Sequence, residues 1–107
     1  MDRIVRLMET EHMYLNPELK VGDVAAALGV PRNAVSNCIN SQGYTFSQYV
    51  NNYRMRHAQR LLLEAPEMKK SVVGLESGFA NERSFFRAFK SATGMTPSEW
   101  KNLQDRG

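Results

Sequence analysis

An all-α fold of seven helices is predicted by three features of the 107-residue chain. Apolar residues recur at spacings of three and four almost throughout, which is one face of a helix. Glycine and proline punctuate that pattern at intervals of one short helix. No run alternates apolar and polar residues between hairpin turns, so no strand is expected. Hydrophobic residues at 42% and charged residues at 23% exclude a disordered tail. No stretch approaches the ~18 uncharged apolar residues of a membrane-spanning helix, so no membrane contact is expected.

The elements follow in order. Ile4, Leu7 and Met8, with His12 at the end, form the stripe of a first helix, which Asn16-Pro17 interrupts. Val21, Val24, Ala25 and Leu28 are the buried face of a second, stopped by Gly29, since glycine tolerates the left-handed backbone after a helix end. Val35 and Ile39 mark the third, which Gly43 stops. Thr45-Phe46-Ser47-Gln48 is a capping box, with threonine at the N-cap and glutamine at N3. It opens a long helix carrying Phe46, Tyr49, Val50, Tyr53, Ala58, Leu61, Leu62 and Ala65, which runs to Pro66. Lys69-Lys70-Ser71 opens a short fifth helix with Val72 and Val73, ended by Gly78. Asn81 caps the sixth, which carries Phe85, Phe86 and Phe89 and stops at Gly94. Thr96-Pro97-Ser98-Glu99 is a second capping box, with proline at the favoured N1 position, and the last helix carries Trp100 and Leu103.

Two stretches repeat. Val24-Ala25 followed by Gly29-Val30 matches Val73-Gly74 followed by Gly78-Phe79 at an offset of 49. One residue further on, Val35 and Ile39 match Phe85 and Phe89. Each copy reads as helix, small residue, glycine turn and second helix, the grammar of a helix-turn-helix. The small residue admits the crossing helix, and the apolar residue after the glycine plugs the gap. A single 1–107 domain is expected, with one unit over about 20–43, a joining helix over about 45–65 and a second unit over about 71–93. The joining helix is about 30 Å long at 1.5 Å per residue. Recognition helices reading one face of B-DNA stand about 34 Å apart, so one chain has the reach for two successive major grooves.

Charge is distributed to suit such a partner. Residues 1–30 carry three cations and five acids, and residues 31–107 carry eleven cations and six acids. The positive excess in the larger part favours a polyanion.

The stretch GFANERSFFRAFKSATGMTPSEW, with LKVGDVAAALGV and GYTFSQYVNNYRMRHAQRLL before it, resembles the DNA-binding domain of the AraC/XylS family of bacterial transcription regulators over nearly the whole chain. The resemblance implies seven helices, two helix-turn-helix units, double-stranded DNA as partner and no enzymatic activity. Several positions depart from the family pattern: Lys20 and Pro31 replace hydroxyl caps, Lys70 stands where an apolar residue is common, Gly74 replaces alanine, and Trp100-Lys101 replaces Tyr-Arg. Most members carry a second domain, so a fragment of a longer regulator with an upstream sensing domain is expected, beside the alternative of a stand-alone activator.

Because Val35 and Ile39 face inward, Arg32, Asn33, Ser36, Asn37 and Asn40 share the other face. Asparagine pairs bidentately with adenine and arginine with guanine. By resemblance, Asn33, Ser36 and Asn37 match base-contacting positions. An ordinary solvated helix face has the same composition, and that reading stays open. On the sixth helix Phe85 and Phe89 hold the core while Glu82, Arg83, Phe86 and Arg87 point elsewhere. Arg87 is the leading candidate for guanine. Glu82 either accepts from a cytosine amino group or favours the helix N-terminus. Phe86 either touches thymine methyls or packs on a neighbouring helix. Thr45 and Thr96, at helix N-termini with free backbone N–H groups, are expected at phosphates, with Arg54, Lys90 and Lys101. Arg56 and Arg60 read better as a solvated face.

Other chemistry is thin. His12, His57 and the single Cys38 have no metal-ligand spacing, so neither metal nor cofactor is expected. Cys38 cannot close an intramolecular disulfide and reads as a small buried hydrophobe, which suits a reducing cytoplasm. Asp2, Arg3, Arg6 and Glu9 leave no apolar segment for a signal peptide. A second function class fits the same fold: a helical module whose polar faces dock to a transcription partner such as RNA polymerase.

Overall fold

The computed structural model describes residues 2–106; Met1 and Gly107, the ends of the expected domain, lie outside the described residues. Among the described residues there are seven helices: α1 (Asp2–Glu9), α2 (Val21–Leu28), α3 (Arg32–Asn40), α4 (Phe46–Glu64), α5 (Lys70–Glu76), α6 (Glu82–Thr93) and α7 (Pro97–Arg106). A short 3-10 turn at Met13–Leu15, which periodicity does not reveal, follows α1. His12 is off the α1 stripe. The helix ends at Glu9, and His12 takes a left-handed backbone (φ 56°) that redirects the chain into the 3-10 turn.

The chain separates into two compact units, Met1–Tyr53 and Arg54–Gly107. The first has a core of Ile4, Met8, Tyr14, Val24, Ala25, Val35, Ile39, Tyr49, Val50 and Tyr53. The second has Met55, Ala58, Leu62, Val73, Phe79, Phe85 and Phe89. Helix α4 serves both, and its buried stripe changes register where they divide. Tyr49 and Tyr53 stand four apart, Met55, Ala58 and Leu62 three and four apart, but Tyr53 to Met55 is a step of two, which is no helical spacing. A single stripe along α4 therefore misses Met55. Cys38 is half-buried at the edge of the first core.

The repeat is visible in the backbone. Val30 N–H donates to the Ala25 carbonyl at 3.0 Å, and at the offset position Phe79 N–H donates to the Gly74 carbonyl at 3.1 Å. Both turns thus close the same way, with Gly29 and Gly78 at φ 69° and 99° as the left-handed residues.

The caps form as the side chains dictate. Thr45 N–H donates to Gln48 Oε1 (3.0 Å) and Gln48 N–H to Thr45 Oγ1 (3.1 Å). Thr96 and Glu99 exchange the same pair at 2.9 and 3.2 Å. Asn81 Oδ1 accepts from Ser84 N–H at 2.8 Å. At Lys20 only half a box exists: its N–H donates to Asp23 Oδ2 at 2.9 Å, because an ammonium offers no acceptor in return.

Candidate nucleic-acid interface

Helix α3 is held by Val35 and Ile39, at 1% and 0% exposure, which leaves its other side to solvent. Arg32, Asn33, Asn37 and Asn40 are exposed and Ser36 is half-buried. The amides therefore form one polar face, and each offers both a donor and an acceptor. Arg32 departs from them. Its Nε lies 3.2 Å from where a Cβ on Gly22 would sit, so the guanidinium lies over the first turn of α2. To reach a base edge it must first swing away from that turn.

Helix α6 is anchored by Phe85 and Phe89, both fully buried, and Trp100 of α7 packs edge-on against Phe89 with ring centroids 5.8 Å apart. The opposite side carries Arg83, Arg87 and Lys90, all exposed and spaced by four and three, hence on one stripe. Glu82, Arg83, Phe86 and Arg87 line a single shallow open depression together with Asn81. Phe86 faces two ways, inward and outward. It is half-buried against the second core, with its ring 5.4 Å from that of Phe85, and its remaining surface helps line the depression. Sequence reasoning assigns Asn81 only to the cap. Its Oδ1 serves the cap, and the residue also lines the depression. The signal available was adjacency to Glu82.

The expected phosphate contacts differ among themselves. At Thr45 the capping box consumes the Thr45 and Gln48 N–H groups, leaving those of Phe46 and Ser47 without an intrahelical acceptor. At Thr96 the N–H is not free either, since it donates to Glu99. Pro97 has no N–H, so Ser98 carries the remaining donor of that turn. The Thr96 backbone N–H first, then its hydroxyl, holds the Glu99 carboxyl below the ordinary glutamate range, with Lys90 adding a smaller attraction. An anion arriving there meets a carboxylate already in place. Lys101 pairs with Asp105 at 3.1 Å, an i,i+4 contact of a type worth only about 0.3–0.5 kcal/mol, which a phosphate can displace. Arg54 is half-buried, and burial pushes its guanidinium below the usual arginine value.

Two helix-turn-helix units, each offering the polar side of its second helix, define a DNA-binding domain of the transcription-regulator class. A family described as helix-turn-helix domain matches residues 24–103. Over 64 residues, 60% of this chain, the sequence is 39% identical to the HTH-type transcriptional activator RhaR of Salmonella heidelberg, and the match spans 22% of that relative. The chain thus spans about a fifth of the length of the curated relatives it matches. Among solved structures, an AraC-type DNA-binding domain-containing regulator from Chromobacterium violaceum superposes with TM-score 0.80 at 25% identity, covering 94% of this chain and 88% of that one. The C-terminal domain of the response regulator AraT from Geobacillus stearothermophilus gives TM-score 0.83 at 24% identity, covering 96% and 86%. The chain belongs to the helix-turn-helix family of AraC/XylS-type DNA-binding domains. Among the described residues no helix is long and apolar enough to cross a membrane.

Proposed function

We propose that this domain reads duplex DNA asymmetrically, with α3 and α6 entering successive major grooves. The observation that carries the reading is the α6 surface, where Arg83, Arg87 and Phe86 share one open depression while Phe85 and Phe89 keep the helix seated. Arg87 pairs with guanine, Asn33 and Asn37 with adenine, and Ser36 supports them. Arg83, Glu82 and the edge of Phe86 complete the second block, and Arg32 serves the first once it leaves Gly22. The Thr45 helix start, Arg54, Lys90 and Lys101 position the duplex through phosphates. At Thr96 the phosphate donor is Ser98 N–H rather than threonine's own.

The domain acts in the cytoplasm as the output part of a longer, signal-responsive regulator. The short share of RhaR that it matches supports this, and RNA polymerase is the protein partner such an output implies. The test is selection of bound sequences from a random duplex library, repeated with Arg87→Ala. Two enriched blocks about one helical turn apart, ~34 Å, support paired readout. Information lost from one block in the variant assigns Arg87 there. Weak, salt-sensitive binding with no enriched sequence defeats the reading.

A further inference from the structure

Resting on the DNA reading above, we propose that His57 and Arg3 are positioning residues. Neither touches DNA, and each sets the pose of one recognition helix by tying the turn before it to the helix that precedes the helix-turn-helix, α1 for Arg3 and α4 for His57. The clue is Ser77, a fully buried polar residue at the C-cap of α5. Its hydroxyl donates to the Val73 carbonyl at 2.7 Å, which uses its one proton. His57 Nδ1 lies 3.1 Å from the same oxygen. That oxygen is left as acceptor, so Nδ1 carries a hydrogen and donates. The bond runs from α4, within the second unit, to the residue immediately before the turn glycine Gly78.

The first unit makes the same tie with different atoms. The residue at the offset position is Leu28, immediately before Gly29, and its carbonyl accepts from Arg3 Nη2 of α1 at 2.8 Å. An arginine reaching a carbonyl and a histidine reaching a hydroxyl share neither side chain nor acceptor type. They share the place: the last position before the turn that aims the recognition helix. A buried hydroxyl is costly where a methyl would pack, so satisfying Ser77 is the bland account of His57. At Leu28 the need is a different one, a last-turn carbonyl without an intrahelical donor, met on an exposed bond. The demand common to both units is an anchored turn, because a base contact is lost when its helix shifts by a fraction of an ångström.

The discriminating variant is His57→Phe combined with Ser77→Ala. Removing both removes the buried hydroxyl together with the imidazole that serves it, so the double variant keeps the test open even if His57→Phe alone fails to fold. Random-library selection and affinity for the selected duplex are then measured for wild type, for the double variant and for Arg3→Met. The expected result is a wild-type melting temperature for the double variant, with roughly tenfold weaker binding, the size of one weakened base contact. Its loss of information falls in the block read by α6, and that of Arg3→Met in the block read by α3. Undiminished readout by the stable double variant overturns the proposal, as does an equal loss from both blocks. Failure of wild type to enrich any sequence overturns the DNA reading itself, which is a separate outcome.

Discussion

The ring of Phe85 stands where Gly74 would carry a side chain: a Cβ at Gly74 would lie 2.5 Å from Phe85 Cγ and Cδ2. In the first unit the corresponding positions hold Ala25 and Val35, both buried in one core. The two copies thus fill the same crossing differently, with a methyl and a small branched residue in one and with no side chain and a phenyl ring in the other. A glycine that costs α5 about 1 kcal/mol against alanine is retained because the larger ring needs its place.

Gly74→Ala is therefore expected to destabilise by about 1–3 kcal/mol, the range for overpacking a core, despite the gain in helix propensity. With Phe85→Val in place the same change becomes neutral or stabilising. A double-mutant cycle by urea unfolding measures the coupling. Additive effects would refute the steric account.

Acid should loosen the start of α7. The folded-state value of Glu99 is depressed, chiefly by the Thr96 N–H, so its contribution is fully present above the unfolded-state value. That contribution is lost as pH falls through the folded value. Following the Thr96 amide by NMR should give a midpoint below the ordinary glutamate range, and Glu99→Gln should abolish the transition. A midpoint at or above that range contradicts the cap's role.

Lys90→Ala should weaken binding evenly across DNA sequences and reduce the slope of log affinity against log salt by about one. A changed sequence preference, with the slope intact, would move Lys90 from phosphate to base.

Asn33→Ala and Asn37→Ala should each relax discrimination at a single base pair of one block, by about 1–3 kcal/mol, and leave the salt slope unchanged. Competition binding with singly substituted duplexes reads this directly. No relaxation at any position would return the α3 amides to a plain solvated face.

Much of this was legible in the chain because it is local. A capping box involves four consecutive residues, and a glycine turn needs only a backbone that glycine permits, so Thr45, Thr96, Asn81 and Gly29 could be placed without knowing any neighbour. The seven helices and the exposed faces of α3 and α6 follow from spacing alone. His12 escaped because one left-handed residue ends a stripe without a glycine or proline to mark it.

What tertiary structure alone decided are relations between residues far apart in sequence. Whether the apolar positions of α4 serve one core or two depends on what packs against them, and the register break at Met55 has no composition signal. The place of Arg32 over Gly22, the clearance that Phe85 finds at Gly74, and the hydroxyl of Ser77 under His57 are set by the crossing of helices. Periodicity names the face of a helix because the face is a property of one segment. Which side chain fills which gap is a property of two segments, and only their packing specifies it.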